Sequence, residues 1–405
     1  MGRENPFNYT SIVTPTLFAG RHSQVDDICA KLAQLSRGAS ASFFVCGERG
    51  IGKTALLKLI RHVSKAKDAD VYDLDLLTSY YSVDDGQNIG NVLQEVIYSL
   101  RADMDNKLLK AFKDHNFHID FTTPAGGVSI GMETGKADAA TKEKNVRDQA
   151  VAILSDIIVK MQATPGGKRG ILIIIDEVHN LKENLKASAS LLRSIVTTLD
   201  VNNLGHVAFL LAGYEDSVGI FFSEDTSARR VFDVVKLDVM PDHEAFEVWK
   251  KGFEKSQIRY DETFLRENIR VARGYPYHIQ KIGHHLVKAD TDNNVDQEDW
   301  NNAIESVLGD FNTQHPEARE GEIWIANVPE NRFGAVKWDT KRLGTIAYNN
   351  KGEPVSGHRP VFAEKKELEK VGHPVLSYRI KTQAGSEDAA RERIGKYEKQ
   401  ISSQG

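Results

Sequence analysis

Two cysteines in 405 residues, Cys29 and Cys46, are too few and too isolated for a disulfide framework or a metal-ligand spacing. Proline is equally sparse, at 11, and no biased tract occurs, which excludes a collagen-like, mucin-like or largely disordered chain. Long apolar runs are missing as well. The strongest, Ile171 to Ile175 and Val207 to Ala212, have the length of strands and fall far short of the roughly 20 residues of a membrane span. The start, MGRENPFNYT, is polar and has no apolar signal core, so a cytoplasmic location without a membrane partner is expected. Neither sign of charge dominates: 52 Lys+Arg stand against 57 Asp+Glu, net −5. Any surface for nucleic acid therefore has to be local. What is present, 40% hydrophobic and 27% charged residues, is a globular composition long enough for two or three domains.

Periodicity divides the chain. Val25, Ile28, Leu32 and Leu35 recur at helical spacing after LFAGR. Phe43 to Cys46 read as a buried strand, followed by GERGIGKT and a helical ALLKLIRHVSKA. VYDLDLL (71–77) fits a second strand, and Ile89 to Phe112 a helix. Residues 115–140 hold FHIDFTTPAGGVSIGME, a pattern for an inserted hairpin. Asn145 to Gln162 is helical, and ILIIIDEVHNL supplies a strand apolar throughout, as a parallel strand covered on both faces must be. Leu185 to Leu199 is helical, His206 to Ala212 is another buried strand, and Phe232 to Val239 alternates like a strand near an edge. The expected fold is α/β: a three-layer core over residues 1–240, a helical lid over 241–314, and a small β-rich extension over 315–405. The extension carries 16 Lys+Arg and 13 Asp+Glu, net +3, and the remainder 36 and 44, net −8.

Two motifs carry chemistry. Gly47-Glu48-Arg49-Gly50-Ile51-Gly52-Lys53-Thr54 satisfies GxxxxGK[ST] between a buried strand and a helix. Glycines let such a loop wrap so that backbone N–H groups converge on phosphate oxygens at a helix N-terminus. Lys53 would reach the β- and γ-phosphates, the Thr54 hydroxyl would hold Mg²⁺, and Ala55 continues the contact surface along the helix. The second motif is the acid pair ending the strand at Ile175. Asp176 would complete the Mg²⁺ shell with Thr54, and Glu177 is placed to deprotonate an attacking water. His179 follows without any other helicase feature nearby, so it reads as structural or as a support for the acids.

LFAGR, GERGIGKT, IIIDEVHNL and GYP together resemble the AAA+ and STAND branch of P-loop ATPases, and are most similar to bacterial and archaeal members related to replication initiators. The resemblance covers roughly residues 6–310. It implies an ATPase with ATP and Mg²⁺ as cofactors. It places Gly20 and Arg21 beside the base and the proline of Gly274-Tyr275-Pro276 near adenine. It also implies homo-oligomerisation on ATP binding and a DNA-linked setting: initiation, transposition control, or defence against mobile elements and viruses. Two positions depart from the pattern. Ala212-Gly213-Tyr214 stands where a polar sensor follows the fourth strand, and Tyr277 stands three residues after the lid glycine where initiators keep an arginine. No sensor is therefore assigned.

Arg229 and Arg230, in SARRVF, lie where such ATPases keep an arginine for a neighbour's γ-phosphate, and sequence does not distinguish the two. For DNA, Lys337, Trp338, Lys341 and Arg342 interleave charge with an aromatic ring, while Glu364, Glu367 and Glu369 dilute the cluster at Lys365, Lys366 and Lys370. Trp324 and Trp338 fit equally as core aromatics of a β-domain. The alternative to DNA is a protein effector recruited through 315–405.

Overall fold

The computed structural model describes residues 4–10, 18–66, 72–104, 106, 108–109, 139–182, 184–272, 274–314, 322–326, 335–336 and 375–379. They fall into two units, His22–Asp238 and, separately, the residues up to Arg21 together with those from Val239 onward.

The first unit runs α1 (His22–Leu32), β1 (Ser42–Cys46), α2 (Lys53–Ser64), β2 (Leu77–Ser82), α3 (Ile89–Leu100), α4 (Ala139–Ala163), β3 (Ile171–Asp176), α5 (Asn184–Val201), β4 (Val207–Gly213), α6 (Glu215–Phe221) and β5 (Phe232–Lys236). The five strands form one parallel sheet in the order β2-β3-β4-β1-β5. Every residue of β1, β3 and β4 is buried, which explains why these segments are apolar without alternation. Side chains still alternate between faces. Phe44, Ile173, Ile175, Phe209 and Leu211 pack with Val92, Val96, Leu154, Ile158, Leu192 and Ile195 from α3, α4 and α5. Phe43, Val45, Leu172, Ile174, Ala208 and Leu210 fall outside that cluster and are just as buried. The sheet is thus the middle of three layers, the α/β P-loop architecture that the sequence pattern predicts. Edge strand β5 buries only Phe232 and exposes Val234, in keeping with its alternating sequence.

Two elements differ from the sequence reading. The second strand begins at Leu77 and uses LTSYYS, not VYDLDLL. Asp75 has a left-handed φ of 45°, which breaks an extended run, and its N–H is tied to the Ala66 carbonyl at 3.0 Å. The third helix stops at Leu100, short of Phe112, and tightens into a 3₁₀ turn over Arg101–Asp103. There Asp103 Oδ2 accepts hydrogen bonds from the Thr78 N–H (2.9 Å) and hydroxyl (3.1 Å), which fastens the turn to β2. The expected hairpin at 115–140 lies outside the described residues, apart from the first turn of α4.

The second unit is helical: α7 (Asp242–Ser256), β6 (Arg259–Tyr260), α8 (Glu262–Asn268), α9 (Pro276–Ala289), β7 (Asn294–Val295) and α10 (Gln297–Gln314). Its core holds Trp249, Phe253, Ile279, Leu286, Trp300 and Ile304, and the Trp249 indole N–H donates to the Ile279 carbonyl at 2.9 Å. The N-terminal segment belongs to this unit, whereas the sequence reading assigns it to the core. Phe7 is 3% exposed and stacks edge-on with Phe253. Asn5 and Asn8 tether the segment to the His284 carbonyl (2.9 Å) and the Gln280 side chain (3.0 Å).

Glycines at two helix-interior positions make room for that ring. A Cβ at Gly252 would lie 2.1 Å from Phe7 Cζ, and one at Gly283 2.7 Å from Phe7 Cδ1. A mid-helix glycine costs about 1 kcal/mol relative to alanine, so each is retained for the ring it admits. Gly252→Ala is expected to destabilise the chain by about 1–3 kcal/mol through overpacking. In a Phe7→Ala background the same change should become neutral or stabilising, and thermal melting of the four proteins measures that coupling.

Beyond α10, β8 (Glu322–Ala326), β9 (Ala335–Val336) and β10 (Val375–Arg379) form an antiparallel sheet in the order β10-β8-β9, with Leu376 opposite Ile325 and Trp324 opposite Val336. The extension is therefore β-containing, as its sequence implies. Lys337, Trp338, Lys341, Arg342, Lys365, Lys366 and Lys370 lie outside the described residues. Among the described residues no helix is long and apolar enough to cross a membrane.

Candidate nucleotide site

Strand order brings the site together. β4 lies between β1 and β3, with Cys46 opposite Gly213 and Ile175 opposite Leu211. The loop after β1, the residue after β4 and the acids after β3 therefore emerge side by side at the carboxyl edge, where open α/β sheets bind ligands. Neighbouring strands are about 4.8 Å apart, so this edge gathers groups distant in sequence within one nucleotide's reach.

The loop turns through Gly50 (φ 77°) and Gly52 (φ 96°), left-handed conformations that glycine adopts without strain. Ile51 is buried and anchors the loop, while Arg49 is exposed. α2 begins at Lys53, so its unpaired N-terminal amides belong to the loop's concavity. Thr54 and Ala55 are half-buried on its first turn. Lys53 is only 7% exposed, and its ammonium donates to the Gly47 (2.9 Å) and Glu48 (2.8 Å) carbonyls. Burial pulls the Lys53 pKa below its ordinary value, with the charges of Glu177 and Asp176 acting the other way. A buried cation bonded only to neutral carbonyls is a cation suited to an incoming anion.

Asp176 ends β3 and is 1% exposed. Its Oδ1 accepts the Glu177 N–H at 2.9 Å and its Oδ2 accepts the Tyr80 hydroxyl at 2.8 Å. Burial, then the Asp176 charge, push the Tyr80 phenol well above its usual range, so it remains a donor at neutral pH. Glu177 takes a left-handed conformation (φ 57°, ψ 37°) that costs a non-glycine residue about 1–2 kcal/mol. This bend turns the chain out of the strand into the 3₁₀ turn Val178–Leu181, and the Asn180 N–H fixes it on the Glu177 carbonyl at 2.9 Å.

The Glu177 carboxylate lies 3.2 Å from His179 Nδ1. The His179 ring packs on Tyr214 at 3.9 Å between centroids, and Lys53 Nζ lies 4.9 Å from the Tyr214 centroid. Desolvation lowers the His179 pKa, so the ring is neutral near pH 7. The sequence-predicted loop and acid pair thus converge, with His179 beside them. Sequence reasoning missed two tyrosines. Tyr214 occupies the position of a polar sensor without being one, and Tyr80 lies in a strand that starts later than the hydrophobic pattern predicts.

The other expected residues are not among these contacts. Arg229 and Arg230 are exposed on the 3₁₀ turn Thr226–Arg230, Arg229 stacks over Phe222 at 4.4 Å, and neither forms an ion pair among the described residues. Gly20, Arg21 and Pro276 belong to the second unit. Arg21 is buried with its N–H on Glu244 Oε2 at 3.0 Å, and Pro276 starts α9 at a position where its missing N–H costs nothing.

The donor set fits a nucleotide with magnesium. A glycine loop at a helix N-terminus and a buried lysine suit phosphates. The Thr54 hydroxyl and the Asp176 carboxylate are the hard oxygen ligands that Mg²⁺ prefers, and neither cysteine is among them.

Residues 17–210 match the family model described as AAA ATPase domain. Among solved structures, the chain is similar to a Walker-type ATPase of Pyrococcus abyssi, at 12% identity over 76% of this chain and 79% of that one, with a TM-score of 0.44. It is similar also to the ORC2 protein of Aeropyrum pernix (14%, 78% and 74%, 0.44) and to the RuvB Holliday junction branch migration motor of Thermotoga maritima (15%, 78% and 83%, 0.39). No curated protein matches the chain.

Proposed function

Residues 17–210 form an AAA ATPase domain of a P-loop AAA+ ATPase, and on that premise we propose that the chain is a switch in which ATP binding drives self-assembly and hydrolysis reverses it. Lys53 would exchange the Gly47 and Glu48 carbonyls for phosphate oxygens. Thr54 and Asp176 would hold Mg²⁺, and Glu177 would take the proton of the attacking water. When bound, Mg²⁺ supplies charge neutralisation at the β- and γ-phosphate oxygens.

The observation that carries the assembly reading is the exposed pair Arg229 and Arg230 on the surface of the ATPase unit, neither in an ion pair among the described residues. A cation offered to a neighbouring subunit makes hydrolysis conditional on assembly and is worth about 10³-fold or more in turnover. Replacing both by alanine is expected to spare ATP binding and to slow hydrolysis by at least about a hundredfold. Mixing this variant with Glu177→Gln should restore part of the activity, because one interface then pairs an intact Glu177 with intact arginines. Equally dead mixtures with intact assembly would remove the role in trans.

The cytoplasmic partner is proposed to be DNA, in initiation, transposition control or antiviral defence. Support comes from the resemblance of LFAGR, GERGIGKT, IIIDEVHNL and GYP to ATPases related to replication initiators, and not from charge. A DNA mobility shift that weakens steeply with salt is the expected result. Absence of any shift, with ATP-dependent assembly preserved, favours a protein effector recruited through 315–405.

A further inference from the structure

We propose that Tyr80 is a positioning residue for Asp176, and that its hydroxyl sets how much Mg²⁺ adds to the affinity for ATP. The proposal rests on the nucleotide reading given above. Its geometry follows from the β2–β3 register, in which Ser82 lies opposite Asp176 and Tyr80 opposite Ile174. Tyr80 is thus two residues from the position facing Asp176, on the same side of the sheet. With strands about 4.8 Å apart and a rise of about 3.3 Å per residue, such diagonal neighbours are about 8 Å apart at Cα, within reach of an aromatic side chain but not of a short one. The phenol spans this gap and places its O–H 2.8 Å from Asp176 Oδ2.

The bond matters because of what the carboxylate lacks otherwise. Asp176 is 1% exposed, so solvent does not orient it, and the Glu177 N–H occupies only Oδ1. With both oxygens tethered, the plane of the carboxylate is fixed. Each oxygen keeps a further lone pair, since an ionised carboxylate offers about four acceptor sites. A preset carboxylate loses less rotational freedom on taking up a metal and its waters than a free one does.

Tyr80 is itself braced. The Arg61 guanidinium lies 5.9 Å from its ring centroid, and Arg61 Nε donates to Thr78 Oγ1 at 3.3 Å. Arg61 follows Thr54 by seven residues on α2, two helical turns along the same face. The helix that presents the Thr54 hydroxyl therefore also supports the tyrosine that orients Asp176. Both proposed metal ligands are referred to one rigid element, although they come from motifs more than a hundred residues apart in sequence.

Tyr80→Phe removes only the hydroxyl and keeps the ring that Arg61 covers. The test is equilibrium binding of a fluorescent, hydrolysis-resistant ATP analogue to the full chain, with Mg²⁺ and with EDTA. The gain in affinity brought by Mg²⁺ is expected to fall about three- to tenfold in Tyr80→Phe, the net scale of one ordinary hydrogen bond, with affinity in EDTA unchanged. In an Asp176→Asn background the same substitution should change nothing further, because Tyr80 acts through that carboxylate. A normal Mg²⁺ gain in Tyr80→Phe, beside a wild type that binds the analogue, overturns the role of Tyr80 alone. So does an equal loss with and without Mg²⁺, or an undiminished effect in the Asp176→Asn background. A wild type that binds the analogue in neither condition overturns the nucleotide reading, and this inference with it.

Discussion

Lys53→Ala is expected to weaken ATP binding by about a hundredfold or more, the loss of a buried charge-assisted contact to phosphate. No neighbour substitutes for it. Arg49 is exposed and precedes the turn, and Arg61 is engaged with Tyr80 and Thr78. The fold should survive. The ammonium is held below its ordinary pKa by burial, so its removal relieves a desolvated charge while releasing the Gly47 and Glu48 carbonyls. Calorimetric titration with ATP, beside a melting curve, separates the two effects. Unaltered affinity in a folded variant would place the nucleotide elsewhere.

Glu177→Gln should give the opposite division, with ATP retained and turnover reduced by about 10²- to 10⁴-fold, the usual worth of a general base. The amide preserves shape and leaves the Asp176 bonds to Tyr80 and to the residue 177 N–H in place. Quenched single-turnover assays measure the rate, and filter binding measures the retained nucleotide. Wild-type turnover in this variant would remove Glu177 from the chemistry.

How far the chain could be read in advance depended on where the information resides. Segments apolar on both faces, such as ILIIID and VAFLLAG, announce a covered parallel sheet because no other environment suits them. The phosphate loop and acid pair were legible because each is compact in sequence. β2 is not, since its polar LTSYYS, of which only Leu77, Thr78 and Ser79 are buried, carries no apolar run, while the more apolar VYDLDLL contains the left-handed Asp75. Tyr214 and Tyr80 escaped for a related reason. Tyr214 reaches Lys53 and His179 only because β4 inserts between β1 and β3, and Tyr80 reaches Asp176 only through the β2–β3 register. Strand order is a tertiary property that no local pattern encodes. The N-terminal segment was misassigned likewise, since a lone Phe7 gives no hint of the space left by Gly252 and Gly283.

Nucleotide-controlled assembly is tested most directly by sedimentation velocity of the full-length Glu177→Gln protein with Mg²⁺ and ATP, with ADP, and without nucleotide. The predicted result is a larger species with ATP alone, which disappears when Lys53 is also replaced by alanine. An unchanged sedimentation coefficient in all three states, with ATP bound at stoichiometric occupancy, would contradict it.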